Sequence, residues 1–89
     1  RKTHVPISLG QYAGESLVSR SQAKRILARF DKFSEVFLDF KGVKTIGQAF
    51  ADEIFRVFKN NHPDIGIIAI NASPAIKNMI AHVQSSALE

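Results

Sequence analysis

FLDFKGVKTIGQAFADEIFRVF, residues 37–58, decides the fold: a short apolar strand runs through a glycine-bracketed loop into an amphipathic helix. Phe37, Leu38 and Phe40 read as the strand and Lys41 to Thr45 as its exit loop. Apolar residues at 46, 50, 54, 57 and 58 predict a helix from Ile46 to about Asn60, with Ala51 and Phe55 widening its buried stripe. Thr45 followed by Gln48 fits a capping box, in which both side chains satisfy N–H groups left over by the first turn. In open α/β sheets, the crevice beyond a strand's carboxyl end is the usual ligand position, and the helix dipole there favours negative charge. The polar side of this helix carries Asp52 and Arg56, four residues apart and able to pair, and Lys59.

Working outward, Lys2 to Leu9 alternates Val5, Ile7 and Leu9 with other residues, as a strand does, and Pro6 places it at a sheet edge. Gly10 and Gly14 mark a turn, and Ser16 to Val18 reads as a second short strand or a lead-in. Ser19 with Gln22 is another capping box, opening a helix from Arg20 to about Asp31 with Ala23, Ile26, Leu27 and Phe30 inward. Asn60, Asn61, His62 and Pro63 end the second helix. The near-continuous apolar run Ile65 to Ile70 predicts a strand covered on both faces. Ser73 and Pro74 then supply an N-cap and first position for a helix presenting Ile76, Met79, Ile80 and Val83. This order predicts an α/β domain with a mixed sheet of about four strands and three main helices, its parallel members joined by right-handed crossovers.

Eighty-nine residues allow one domain, spanning residues 1–89. So short a chain buries only ~60–65% of its unfolded surface, which leaves little room for a deep catalytic cleft. The absence of cysteine removes disulfides and thiolate metal sites, and a cytoplasmic setting is expected. The longest uncharged apolar run, Ile65 to Ala72, falls far short of the ~20 residues of a membrane span, and no signal-peptide core opens the chain. With no initiating Met, the chain reads as an excised segment with a neighbouring domain elsewhere, and Leu88-Glu89 as an appended tail.

The charge of +4 would suit an acidic partner. Arg20, Lys24, Arg25, Arg29 and Lys32 occupy the arc opposite the first helix's apolar residues. That arrangement is an ordinary solvated face; alternatively, Arg20, Lys24, Arg25 and Arg29 form a nucleic-acid contact, although no aromatic residues are interleaved as stacking platforms. His4, His62 and His82 lie far apart in different elements without the spacing of a zinc site, so no metal is expected. Asp39 lacks a positioned acid-base partner, Asp52 and Glu53 diverge by about 100° on a helix, and neither a nucleophilic serine motif nor a phosphate-cradling glycine signature is present. No enzyme and no cofactor are therefore expected.

Combined with the element order, three stretches carry a family resemblance: Ser19 to Lys24, Leu38-Asp39-Phe40, and the uninterrupted run Gln48 to Phe58. Over roughly Ile7 to Val83 the chain resembles the STAS superfamily, which includes bacterial anti-sigma-factor antagonists, and within it the STAS-like domains of unknown function. The resemblance implies a regulatory signalling module whose partner is an ATP-binding histidine-kinase-like protein or domain, in cis or in trans. In the antagonists, a kinase phosphorylates serine in an Asp-Ser-Ser-Gly motif; here those places hold Gly47, Gln48, Ala49 and Phe50, without a hydroxyl. What carries over is the surface: Lys41, Gly42, Lys44, Thr45, Gly47 and Gln48, with the Asp52, Arg56 and Lys59 side of the helix, as the docking face.

Overall fold

The computed structural model describes residues 4–12 and 14–86. Strand β2 (Glu35–Asp39) lies between β1 (His4–Ser8) and β3 (Gly66–Ile70), and both neighbours run parallel to it. Pairing is in register, with Val5 and Ile67 flanking Val36, and Ile7 and Ala69 flanking Leu38. Period-two alternation sends these side chains to one face, where Ile7, Val36 and Leu38 are buried. A 3-10 turn (Leu9–Tyr12) follows β1 and buries Leu9, and Phe40 is buried just past β2. The predicted edge position of Pro6 is correct; the part of the expected first strand before His4 lies outside the described residues, as does Leu88-Glu89.

Helix α1 (Arg20–Leu27) buries Ala23, Ile26 and Leu27. The second helix is composite: α2 (Gln48–Asp52) passes without a break into a π segment (Glu53–Phe58) and ends as α3 (Lys59–Asn61). Helix α4 (Pro74–Ser86) completes the order and buries Ile76 and Val83. Strands laid side by side in chain order, linked by right-handed crossovers, leave both connecting helices on one face of the sheet. The α2 helix packs between α1 and α4 in that same layer, and the core is one cluster centred on Phe40, Phe50, Leu38 and Ile54.

Several expectations change. The sheet has three strands, all parallel, among the described residues, because Ser16 to Val18 pairs with no strand. Instead its carbonyls serve a helix start: Gly47 N–H donates to Leu17 O at 2.8 Å and Phe50 N–H to Val18 O at 3.2 Å. Helix α1 stops at Leu27 instead of Asp31, and Phe30 N–H turns back to Leu27 O. β3 is an edge strand with helices on one side only, so its residues are half-buried instead of enclosed, and Ile70 is 38% exposed. The second helix begins at Gln48 with Gly47 as N-cap, not at Ile46. The expected Thr45–Gln48 capping box therefore does not form; the chain stays extended to Gly47, held by the Leu17 carbonyl.

The other two caps form as read. Ser19 Oγ accepts from Gln22 N–H while Gln22 Oε1 accepts from Ser19 N–H, a closed capping box. Ser73 Oγ accepts from Ile76 N–H with Pro74 at the first position of α4.

Candidate functional site

The loop between β2 and α2 forms one wall of an open depression of about 380 Å³ at the carboxyl end of the sheet; Glu15 to Val18 forms the other. Its lining takes in Gly42, Val43, Lys44, Thr45, Ile46 and Gly47. Each wall has its own support.

The loop wall starts with a turn in which Val43 N–H donates to Phe40 O at 2.9 Å. Gly42 stands third in that turn at φ 85°, a conformation that disfavours a side chain. Asp39 Oδ1 accepts from Lys41 N–H and from Asn71 Nδ2, both at 3.0 Å, tying the exits of β2 and β3 together. These two bonds, that from Asn71 first, hold the Asp39 carboxyl below its ordinary value. Asn71 reaches it from a left-handed φ of 56°. Lower down, Ser73 Oγ donates to Lys44 O at 2.9 Å, fastening the loop to the start of α4.

Gln22 supports the other wall. Its Oε1 accepts from Val18 and Ser19 N–H at 2.8 Å each, and its Nε2 donates to Ser16 O at 2.8 Å and Glu15 Oε1 at 3.0 Å. The walls meet where Gly47 passes Val18: a Cβ on Gly47 would stand 2.8 Å from the Val18 Cα, so a side chain there would force the two backbones apart. At the rim, Val18 is 52% exposed, and Lys41, Lys44, Thr45 and Gln48 are exposed around it.

The remaining docking candidates lie elsewhere. Asp52, expected on an exposed strip, has a side chain only 11% exposed. Arg56 grips it with two bonds, Nε to Oδ1 at 2.5 Å and Nη2 to Oδ2 at 2.7 Å, and Arg20 Nη1 reaches Oδ2 at 2.7 Å from α1. Two guanidiniums, that of Arg56 foremost, lower the Asp52 pKa to about 2 despite burial. Glu53, also buried, lies 3.6 Å from Arg20 Nη1. Lys59 sits at the opposite end of the composite helix, about 16 Å from Gln48 along the axis, where its Nζ donates to Pro63 O and Ile65 O. The nine residues thus fall into a crevice set of four (Gly42, Lys44, Thr45 and Gly47) with Lys41 and Gln48 next to it in the chain, an ion-paired middle and a remote lysine.

The basic face of α1 is also partly engaged. Arg20 belongs to the Asp52 cluster and Arg25 Nη2 lies 3.1 Å from Glu15 Oε1. Lys24 lines a hollow of about 190 Å³ beside Glu53 and Phe58, and Arg29 stands past the end of the helix. Among the described residues no His, Cys, Asp and Glu cluster suits a metal ion. His62 stacks on Phe58 at 4.2 Å and His4 lies 2.6 Å from Glu35. No helix among the described residues is long and apolar enough to cross a membrane.

A family model described as a STAS-like domain of unknown function matches residues 22–77, more than half of the chain. The matched span opens at the clamp residue Gln22 and takes in β2, its loop, the composite helix, β3 and the start of α4. No curated protein and no solved structure matches.

Proposed function

The chain belongs to the STAS-like domain family, and we propose that within it this domain is a non-catalytic regulatory protein-binding module, docking an ATP-binding histidine-kinase-like protein or domain in cis or in trans. The docking face is the strand-end crevice, with Gly42, Lys44, Thr45 and Gly47 on one wall and Glu15 to Val18 on the other, together with the exposed Lys41 and Gln48 that flank the loop in the chain. One observation carries the reading: an exposed Val18 lines one crevice with the exposed Lys44 and Thr45, and hydrogen bonds from Gln22, Ser73 and Gly47 fasten both of its walls. An apolar anchor with a polar rim is how protein interfaces concentrate their energy, and a preformed surface avoids the cost of ordering a loop. Asp52, Arg56 and Arg20 support the same surface from below by fixing α1 against α2.

With Gly47, Gln48, Ala49 and Phe50 where the antagonists carry their serine motif, docking here is not switched by phosphorylation at those positions. The nucleic-acid alternative draws less support, since Arg20 and Arg25 are already opposed by Asp52 and Glu15.

A photo-crosslinking amino acid at Lys44, used in nuclease-treated source lysate, tests the proposal. The expected product is a covalent adduct with an ATP-binding protein, absent when the same group replaces Lys32 at the far end of the sheet. Equal adducts from both positions, or an adduct lost on nuclease treatment, would overturn the reading.

A further inference from the structure

The helices leave one face of the sheet without a layer among the described residues. Parallel strands are normally covered on both faces. Here the outward residues of β2 are Glu35, Phe37 and Asp39, and the register sets Pro6 and Ile68 on either side of Phe37. Neither Phe37 nor Ile68 belongs to the core cluster, Pro6 is exposed, and Ile70 extends the apolar surface at 38% exposure. His4 shields one edge of Phe37, with ring centroids 6.0 Å apart.

Dimensions and charge select the occupant. Three strands at ~4.8 Å spacing place the outer two about 10 Å apart, the diameter of one α-helix and too narrow for a second sheet of ordinary size. The ends of β2's outward row are carboxylates: Glu35 and Asp39, four residues apart and so about 13 Å, one on each side of Phe37. Among the described residues, the outward positions of the three strands carry these two carboxylates and no Lys or Arg, on a molecule of net charge +4. Asp39 already accepts from Lys41 and Asn71 and is held as a carboxylate, and Glu35 lies against His4. A helix lying along β2 presents residues seven apart, about two turns and ~10.5 Å, on one face, so cations at that spacing would reach both carboxylates through their flexible side chains.

We propose that this face binds an amphipathic helix of another protein, apolar at its centre over Pro6, Phe37 and Ile68 and carrying Lys or Arg about two turns apart over Glu35 and Asp39. The surface lies outside the crevice lining, shares only the Asp39 brace with it, and adds a second docking site to the domain.

The test is titration of the isotope-labelled domain with a stapled helical peptide bearing leucines between two lysines seven residues apart, read by amide NMR shifts. Binding is expected with shifts centred on Glu35, Phe37, Asp39 and Ile68, and Glu35→Lys should weaken it about tenfold. Phe37→Ser should do the same; Ile70→Ser, at an exposed position, serves as a second probe if Phe37→Ser unfolds the domain. Absence of shifts on this face, or equal binding of a peptide with both lysines changed to glutamate, would overturn the proposal. So would a self-associated domain that Ile70→Ser dissociates, or vesicle binding that Ile70→Ser abolishes, since a second copy or a lipid surface would then own the face.

Discussion

Arg20 Nη1 lies 2.7 Å from Asp52 Oδ2, joining α1 to α2 between positions 32 residues apart. Because Arg56 holds the same carboxylate from one turn further along, a single buried anion organises two cations on two elements.

Asp52→Asn should destabilise the domain by about 1–2 kcal/mol near neutral pH. The lowering from 3.8 to about 2 sets an upper bound near ~2.4 kcal/mol, which the partly exposed guanidiniums reduce by screening. The folded-state pKa is depressed, so this contribution is complete above about pH 4 and is lost as the pH falls toward about 2. Denaturant melts over that range should show the wild type losing stability with acid more steeply than Asp52→Asn. Parallel curves would contradict the assignment.

Gln22→Ala removes five hydrogen bonds at once, that from Ser19 Oγ included, and should cost about 1–2 kcal/mol. Gln22→Glu keeps the acceptor for Val18 and Ser19 but loses the donors to Ser16 and Glu15 and sets a carboxylate against Glu15, so its stability loss should be of similar size. Amide exchange at Val18 and Ser19 separates the variants: fast in Gln22→Ala, still protected in Gln22→Glu.

Gly47→Ala should cost about 1–3 kcal/mol, because the added carbon meets backbone and not a movable side chain. Gly42→Ala has open space but a strained φ, and about 1 kcal/mol is expected. NMR shifts at Leu17 and Val18 should move strongly in the first variant and little in the second.

Asn71→Gly keeps the left-handed backbone and deletes the Nδ2 donor to Asp39. The Asp39 carboxyl should then titrate closer to its ordinary value, as followed by carboxyl carbon shifts. An unchanged titration would mean that the Lys41 amide alone holds it down.

Local signals in the sequence proved sufficient where neighbours make the structure. Ser19 with Gln22 and Ser73 with Pro74 mark true helix starts, because each cap is completed within three residues. The strand before the long helix was legible at Phe37 and Leu38, but its start at Glu35, the buried Val36 and the place of Phe40 just past its end were not. Thr45 and Gln48 offered the same kind of signal and failed, since the Leu17 and Val18 carbonyls claim the helix start from about 30 residues away. The π segment was not legible: Ala51 and Phe55 showed only as a widening of the buried stripe of an ordinary helix. Nothing in helical spacing could show Asp52 inside the fold, because the residue that covers it, Arg20, belongs to another helix. For the same reason the loop wall of the crevice was readable from Lys41 to Gln48, while its other wall, from Glu15 to Val18, resembled a spare strand.

The most direct test of the docking account is an amide NMR titration of the labelled domain with the ATP-binding protein recovered through Lys44. Shifts and line broadening should concentrate at Glu15 to Val18 and Lys41 to Gln48, and Lys44→Glu should weaken binding about tenfold or more. Perturbations confined to Lys24 and Arg29, with the crevice silent and Lys44→Glu binding as tightly as the wild type, would contradict it.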